Sequence, residues 1–209
     1  MTETFIETPE DPTTDLLQIV AAILLGIAAT LTAFSAYRSA LTDGNALQGY
    51  TVASQKLADS NFFYGQGNQV EAGDRALFVA YATASQEGNT DLADYLVTLM
   101  RPELSDAVDW WNATDEAVTP FDDLEGNPYV VGDYADGENL ANESKDAYKE
   151  AVSADNQGDK LELATVFLAL TLFFGGIATL FTRRPVRAGL LALGTVTLIA
   201  GSVRLLTAL

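Results

Sequence analysis

The 209-residue chain contains no cysteine and no histidine. Without cysteine it can form no disulfide, offers no thiolate nucleophile and lacks the ligands of a zinc finger. Without histidine it has no imidazole base. The missing thiols do not fix the redox compartment. Lysine is scarce, with only Lys56, Lys145, Lys149 and Lys160 present, and the chain has 11 basic residues against 29 acidic ones. No G-x-x-x-x-G-K-[ST] or strand-borne G-x-G-x-x-G motif occurs, and no basic cluster suits a nucleotide.

The net charge of −18 is concentrated between Leu41 and Lys160, which hold 23 acids and 6 bases. Such a surface repels nucleic acid and anionic lipid, so nucleic acid is excluded as a partner. Aspartate outnumbers glutamate by 17 to 12. Acidic, lysine-poor surfaces are typical of proteins from salt-loving archaea, where salt screens the self-repulsion. A halophilic source is therefore expected.

Three apolar stretches dominate what remains: Leu16–Tyr37, Leu161–Thr182 and Ala188–Leu209. Each matches the roughly 20 residues with which a helix crosses the hydrocarbon core. The expected layout is an acidic tail over 1–15, a first span over 16–37 and an acidic helical extramembrane domain over 38–160. A second span over 161–182, an arginine-rich loop over 183–187 and a third span over 188–209 follow. The tail (Glu3, Glu7, Glu10, Asp11, Asp15) has no basic residue, and the first apolar run exceeds a signal-peptide core, so it reads as a retained anchor. The fold class is all-α and the location a multi-pass cell membrane.

Arg183, Arg184 and Arg187 in one short connection are the main positive-inside signal. They put that loop and the N-terminus in the cytoplasm and residues 38–160 outside, although Arg38, Lys149 and Lys160 flank the spans on the outer side. The sequons at Asn112 and Asn142 fit export and mark possible glycosylation. Glu162 and Arg204 approach the same membrane face and define a possible interhelical ion pair, or else two separate interface markers.

No ionisable residue lies in the middle of a span, which argues against a pump or coupled transporter. Small residues recur at four-residue spacing: Ala22, Gly26 and Thr30, with Ala29 and Ala33 beside them, then Ala188, Ala192, Thr197 and Gly201. Such stripes allow close helix approach, within one chain or between copies. An oligomeric pore lined by Gln18, Thr30 and Thr32, or by the third span's threonines, is a further alternative.

In the polar segment, the first helix is expected to run on past Tyr37, with an interruption near Asp43-Gly44 and a break at Gly65-Gln-Gly67. A helix over Glu71–Gln86 stops at Gly88. Asn89 or Thr90 caps a helix to Leu99, with Leu92, Tyr95, Leu96 and Leu99 on one face. Pro102 opens another, to about Asp115, through Leu104, Val108 and Trp111. Thr119–Asp136 reads as loop, and helix resumes near Glu138, with a weak point at Asn156-Gln-Gly158. Phe62, Phe63, Phe78, Tyr81, Tyr95, Trp110 and Trp111 are the expected aromatic core, with Trp111 inward and Trp110 at its rim.

Carboxylates are the only plentiful reactive groups. Pairs such as Asp106 and Asp109 look like any solvated acidic face, so no enzymatic activity and no cofactor are expected. Two loop clusters, Asp122, Asp123 and Glu125 together with Asp133, Asp136 and Glu138, are candidate calcium-type metal ligands. Neither matches the EF-hand pattern.

Residues Ala28–Asn61 (AATLTAFSAYRSALTDGNALQGYTVASQKLADSN) and the LFxxY core Leu77-Phe78-Val79-Ala80-Tyr81 carry a resemblance. The chain resembles a widespread group of uncharacterised prokaryotic three-span membrane proteins, as a haloarchaeal member. The resemblance implies the layout above and transfers no site residue. The expected function is a non-enzymatic interaction or assembly protein. It would act through the exposed acidic domain on another membrane or surface protein or on its own copies. A cation or small-solute sensor is the alternative.

Overall fold

The computed structural model describes residues 12–114 and 118–209, with side chains from residue 16 onward. Most of the expected acidic tail and the expected helix end at Asp115 lie outside this range. Among the described residues the chain is all-α, with five helices and no strand: α1 (Pro12–Gln86), α2 (Thr90–Thr98), α3 (Pro102–Asn112), α4 (Gly132–Leu180) and α5 (Arg184–Ala208). Three of these, α1, α4 and α5, are long and apolar enough to cross a membrane. The chain divides into two compact units, Met1–Tyr50 with Tyr148–Leu209, and Thr51–Ala147.

The first unit holds the apolar parts of α1 and α4 and all of α5. Leu161, Ala164, Leu205 and Ala208 form one buried cluster with Leu31, and Ala21, Ala178 and Leu191 form another with Leu17 and Leu190. Several polar groups in this interior are satisfied across helices. Ser35 Oγ donates to the Leu161 carbonyl at 2.8 Å, Thr171 and Thr197 share a 2.9 Å bond, and Gln157 Nε2 donates to the Ala208 carbonyl at 2.7 Å. The last contact serves one of the carbonyls that a helix end leaves without an internal partner. The outward faces are apolar as well, with Ile23, Phe34, Val166, Phe173, Val196 and Leu206 exposed. Only 17–28% of each helix's most apolar window is buried. A bundle that is apolar all round is suited to lipid rather than water.

The small-residue stripes divide between inside and outside. Gly201 and Thr197 pack inward: a Cβ on Gly201 would sit 2.9 Å from Leu168. Ala22, Gly26, Ala29, Thr30 and Ala33 face outward, as do Ala188 and Ala192. The line of α1 that packs inside the bundle is instead Ala21, Leu24, Ala28 and Ser35.

Several expected interruptions are absent. Helix α1 continues through Asp43-Gly44 and Gly65-Gln-Gly67, and α4 begins at Gly132, not near Glu138, and continues through Asn156-Gln-Gly158. Two of these glycines, Gly67 and Gly158, serve close approach, whereas Gly44 and Gly65 meet nothing within 4 Å. Gly67 lies under the Tyr134 ring, where an added Cβ would be 2.8 Å from Cε1, and Gly137 lies beneath Tyr64. Gly158 faces the Asp43 carboxylate, and Gly49 faces Ala151. Helix α5 likewise starts inside the expected loop, at Arg184, with Pro185 in its first turn.

The expected caps are in place. Asn89 caps α2 by accepting from the Leu92 N–H, and Pro102 opens α3. After α1 the chain turns at Gly88, whose φ of +72° lies in the left-handed region that closes helices. In the Thr51–Ala147 unit the buried core is Phe78, Met100, Leu104 and Val108, with Tyr81, Trp111, Phe121 and Tyr129 packed on it. Trp111 meets Phe78 edge-on at 5.1 Å, and Trp110 is half-buried at the rim. Phe62 and Tyr95, expected in the core, are each 60% exposed. Phe121 and Tyr129 from the loop pack on the Phe78 cluster instead.

Candidate functional site: an aromatic and acidic cleft

The 118–131 loop is fixed by its own polar side chains. Asp122 Oδ2 accepts from the Val118 and Thr119 N–H groups at 2.8 and 3.2 Å, and its Oδ1 accepts from Thr119 Oγ1 at 2.7 Å. These donors, the Thr119 hydroxyl foremost, hold the Asp122 carboxyl below the ordinary carboxylate range. Asn127 Nδ2 donates to the Pro120 and Asp122 carbonyls, and Asn127 Oδ1 accepts from the Tyr129 N–H. Tyr129 is thereby presented to a buried ionic group. Its Oη donates to Asp74 Oδ2 at 2.9 Å, the same oxygen that accepts from Arg101 Nε at 2.6 Å. Arg101 Nη1 also donates to Glu103 at 3.0 Å. Burial, with Asp74 adding, pushes the Tyr129 phenol up to about 12.

Beside this clamp lies a cleft of about 650 Å³ lined by Tyr64, Glu71 and Arg75 of α1, the loop from Phe121 to Val131, and Tyr134, Ala135 and Glu138 of α4. Tyr64, Glu71 and Arg75 are seven and four residues apart, so one helix face presents all three. Arg75 Nε and Nη2 both donate to Glu71 Oε1, at 2.9 and 2.7 Å, and the guanidinium stands 4.6 Å over the Phe121 ring. Tyr134 Oη lies 2.7 Å from Glu71 Oε2 and 2.9 Å from Asn68 Oδ1. Tyr134 first, and Arg75 second, hold the Glu71 carboxyl below its usual range, and the same contact raises the Tyr134 phenol.

The cleft's one guanidinium is thus matched to Glu71, while Asp123 and Glu138 add carboxylates on its wall. Aromatic faces beside carboxylates suit a cation with apolar substance, such as an alkylammonium or guanidinium group. The arrangement does not assemble a nucleophile with a base.

The expected metal ligands do not converge. Asp123 and Glu138 line the cleft, Asp122 is engaged in its turn, Glu125 and Asp136 are exposed, and Asp133 is half-buried on the first turn of α4. Among the described residues no group of three or more acidic side chains is arranged to hold a metal ion. Glu162 and Arg204 are both exposed and form no ion pair; Glu162 lines a separate groove with Ser39, Asp43 and Thr165. The hydroxyls of Thr30 and Thr32 donate to the carbonyls of Gly26 and Ala28 in their own helix. Asn112 ends α3 and Asn142 lies on α4, both exposed.

A second surface stands out on α2. Ala93 is the helix's one buried residue, while Leu92, Tyr95 and Leu99 are 42, 60 and 54% exposed. Three residues of the expected face, among them Tyr95 that was expected in the core, therefore face outward beside the acids Asp91 and Asp94, and Leu96 is half-buried. No protein-family model matches the chain, and comparison with curated proteins and with solved structures gives no match.

Proposed function

We propose that the chain is a non-enzymatic multi-pass membrane protein that engages another protein through the unit Thr51–Ala147, held outside the cytoplasm. The reading is carried by the exposed apolar stripe of α2. An uncovered apolar helix face flanked by acids favours a partner whose apolar groove has a basic rim. The outward Ala22, Gly26, Ala29 and Ala33 stripe supports contact between copies as an additional mode. Sidedness is supported by the arginines at 183, 184 and 187. A photoreactive residue at Tyr95 in native membranes should give a discrete protein adduct that the same residue at exposed Asp106 does not. Absence of any adduct at Tyr95 counts against the reading. Protease access to the loop 118–131 in intact cells tests the sidedness.

The cleft favours a second reading, a sensor of small organic cations. Titration of the purified chain with tetramethylammonium, followed by Tyr and Trp fluorescence, tests it. A saturable change lost on Glu138→Gln would support this reading, and a flat response would remove it.

A further inference from the structure

The two sequons occupy unlike places in the fold. Asn142 lies inside α4, and its side chain accepts from Lys145 Nζ at 3.5 Å. The third residue of that sequon, Ser144, is buried, and its hydroxyl donates to the Ala53 carbonyl of α1 at 2.7 Å. A transferase must reach both the asparagine amide and the hydroxyl two residues on, so Asn142 becomes reachable only if α1 and α4 part. Asn112 is the last residue of α3 and is exposed. Its Thr114 hydroxyl donates to the Trp110 carbonyl at 2.8 Å, within the closing turn of the same helix. Helix ends open locally at small cost, so this sequon can be presented with the core intact.

Asn112 also lines a pocket of about 250 Å³ with Trp111 and with Tyr81, Ala82, Ser85 and Gln86 of α1. None of the described lining residues is charged, on a chain of net charge −18. The half-buried rings of Tyr81 and Trp111 supply apolar surface. Ser85 and Gln86 supply a hydroxyl and an amide, each both donor and acceptor. A saccharide ring has the matching make-up, a C–H face edged by neutral hydroxyls. A cation would find no carboxylate among the described lining, and a wholly apolar ligand would leave the hydroxyl and amide unmet.

We infer that Asn112 carries an N-linked saccharide whose first ring rests in this pocket against Tyr81 and Trp111. The inference rests on the placement of Thr51–Ala147 outside the cytoplasm proposed above. The donor is a saccharide joined through phosphate to a membrane polyprenol and delivered by a membrane transferase. Asn112 Nδ2 attacks the anomeric carbon, and the bond from that carbon to the phosphate oxygen breaks with its electron pair on the departing phosphate. Nδ2 gives up one proton to solvent. Because the acceptor residue is itself part of the pocket wall, the attached ring is tethered at its seat and loses little further freedom on settling there.

Mass spectrometry of full-length protein purified from native membranes reads the two asparagines separately. A saccharide on Asn112 with Asn142 bare is the expected result. Asn112 bare, or Asn142 modified to the same extent, overturns the inference. Protease access to the loop 118–131 in intact cells then separates two failures. If Asn112 is bare and the loop is cut, the sidedness stands and this inference alone falls; if the loop is protected, both fall. The seat is read on Asn112→Gln, at an exposed position. Loss of the saccharide should lower the melting temperature by about 2–4 °C, the effect of roughly one aromatic contact in a chain of this size. Tryptophan emission should move to longer wavelength as Trp111 meets water. Thr114→Ser preserves the sequon and should keep the saccharide, the melting temperature and the emission. A saccharide on Asn112 whose loss in Asn112→Gln changes neither reading overturns the inference.

Discussion

The Ser60 hydroxyl donates to the Gly137 carbonyl at 2.7 Å, joining α1 to the backbone of α4 through a side chain two atoms long. Ser144 repeats the contact in the opposite direction, donating to the Ala53 carbonyl at 2.7 Å. In the other unit Ser39 donates to the Gly158 carbonyl at 3.3 Å. The small positions are spaced by sevens, Ser39, Ala46, Ala53, Ser60 and Gly67 on α1 and Gly137, Ser144, Ala151 and Gly158 on α4. A seven-residue repeat keeps one seam of a helix facing its partner, and small residues on that seam set backbone against backbone.

Two glycines two residues apart, on opposite faces of α1, should therefore respond with opposite signs. Gly67→Ala drives a methyl group into the Tyr134 ring, whose hydroxyl is tied to Glu71 and Asn68. It should destabilise the Thr51–Ala147 unit by about 1–3 kcal/mol. Gly65→Ala meets nothing within 4 Å and should stabilise by about 0.5–1 kcal/mol. Both tryptophans lie in this unit, so denaturant unfolding read by tryptophan fluorescence reports on it selectively.

The clamp between the loop and α1 predicts strong coupling. Arg101→Ala leaves the buried Asp74 with Tyr129 as its remaining donor and should cost about 3 kcal/mol. The double variant with Asp74→Ala should cost clearly less than the sum of the two single changes. A double-mutant cycle on unfolding free energies measures the difference, and strict additivity would contradict the clamp.

The pH dependence of this unit follows from opposite shifts. Glu71 is held below its ordinary 4.5, so the unfolded chain takes up a proton there more readily. Its contribution is present above about pH 4.5 and lost as pH falls through the lower folded value. Tyr129, pushed up to about 12 from 10.0, behaves in reverse. The folded state holds that phenolic proton more tightly, so its contribution is present below pH 10 and lost between 10 and about 12. With no histidine to titrate between them, the melting temperature should stay level from about pH 6 to 9. Ultraviolet absorbance should show the latest phenolate disappear in Tyr129→Phe, while Tyr134, also raised, remains.

In the apolar unit, Thr171→Val removes the bond to Thr197. The loss should be small, about 0.6 kcal/mol, because each hydroxyl also bonds a carbonyl of its own helix. Comparing the unfolding of wild type and variant in mixed micelles checks it.

Apolar length and cap chemistry made much of the fold legible. The three long runs, the Asn89 cap, the Pro102 start and the Gly88 stop act locally, and each appears in the structure. The seam was harder to read because its signal is a seven-residue repeat of Gly, Ala and Ser, which carry little hydropathy. Gly67 and Gly158 therefore looked like breaks when they are close approaches. The Leu92, Tyr95 and Leu99 stripe is visible in the sequence, but periodicity shows that an apolar face exists, not what covers it. The cleft escaped notice because Glu71 and Arg75 on α1 meet Tyr134 only through pairing some sixty residues apart. Loop acids drew attention instead, and Asp122 proves to be the loop's own hydrogen-bond acceptor.

Pairing through bare backbone has an evolutionary corollary. Such positions admit only residues too slight to prise the helices apart, while everything facing away is free to drift. Distant kin of this chain should therefore be found by an alternation of tiny residues running in opposite senses along two segments, even where ordinary identity has worn away.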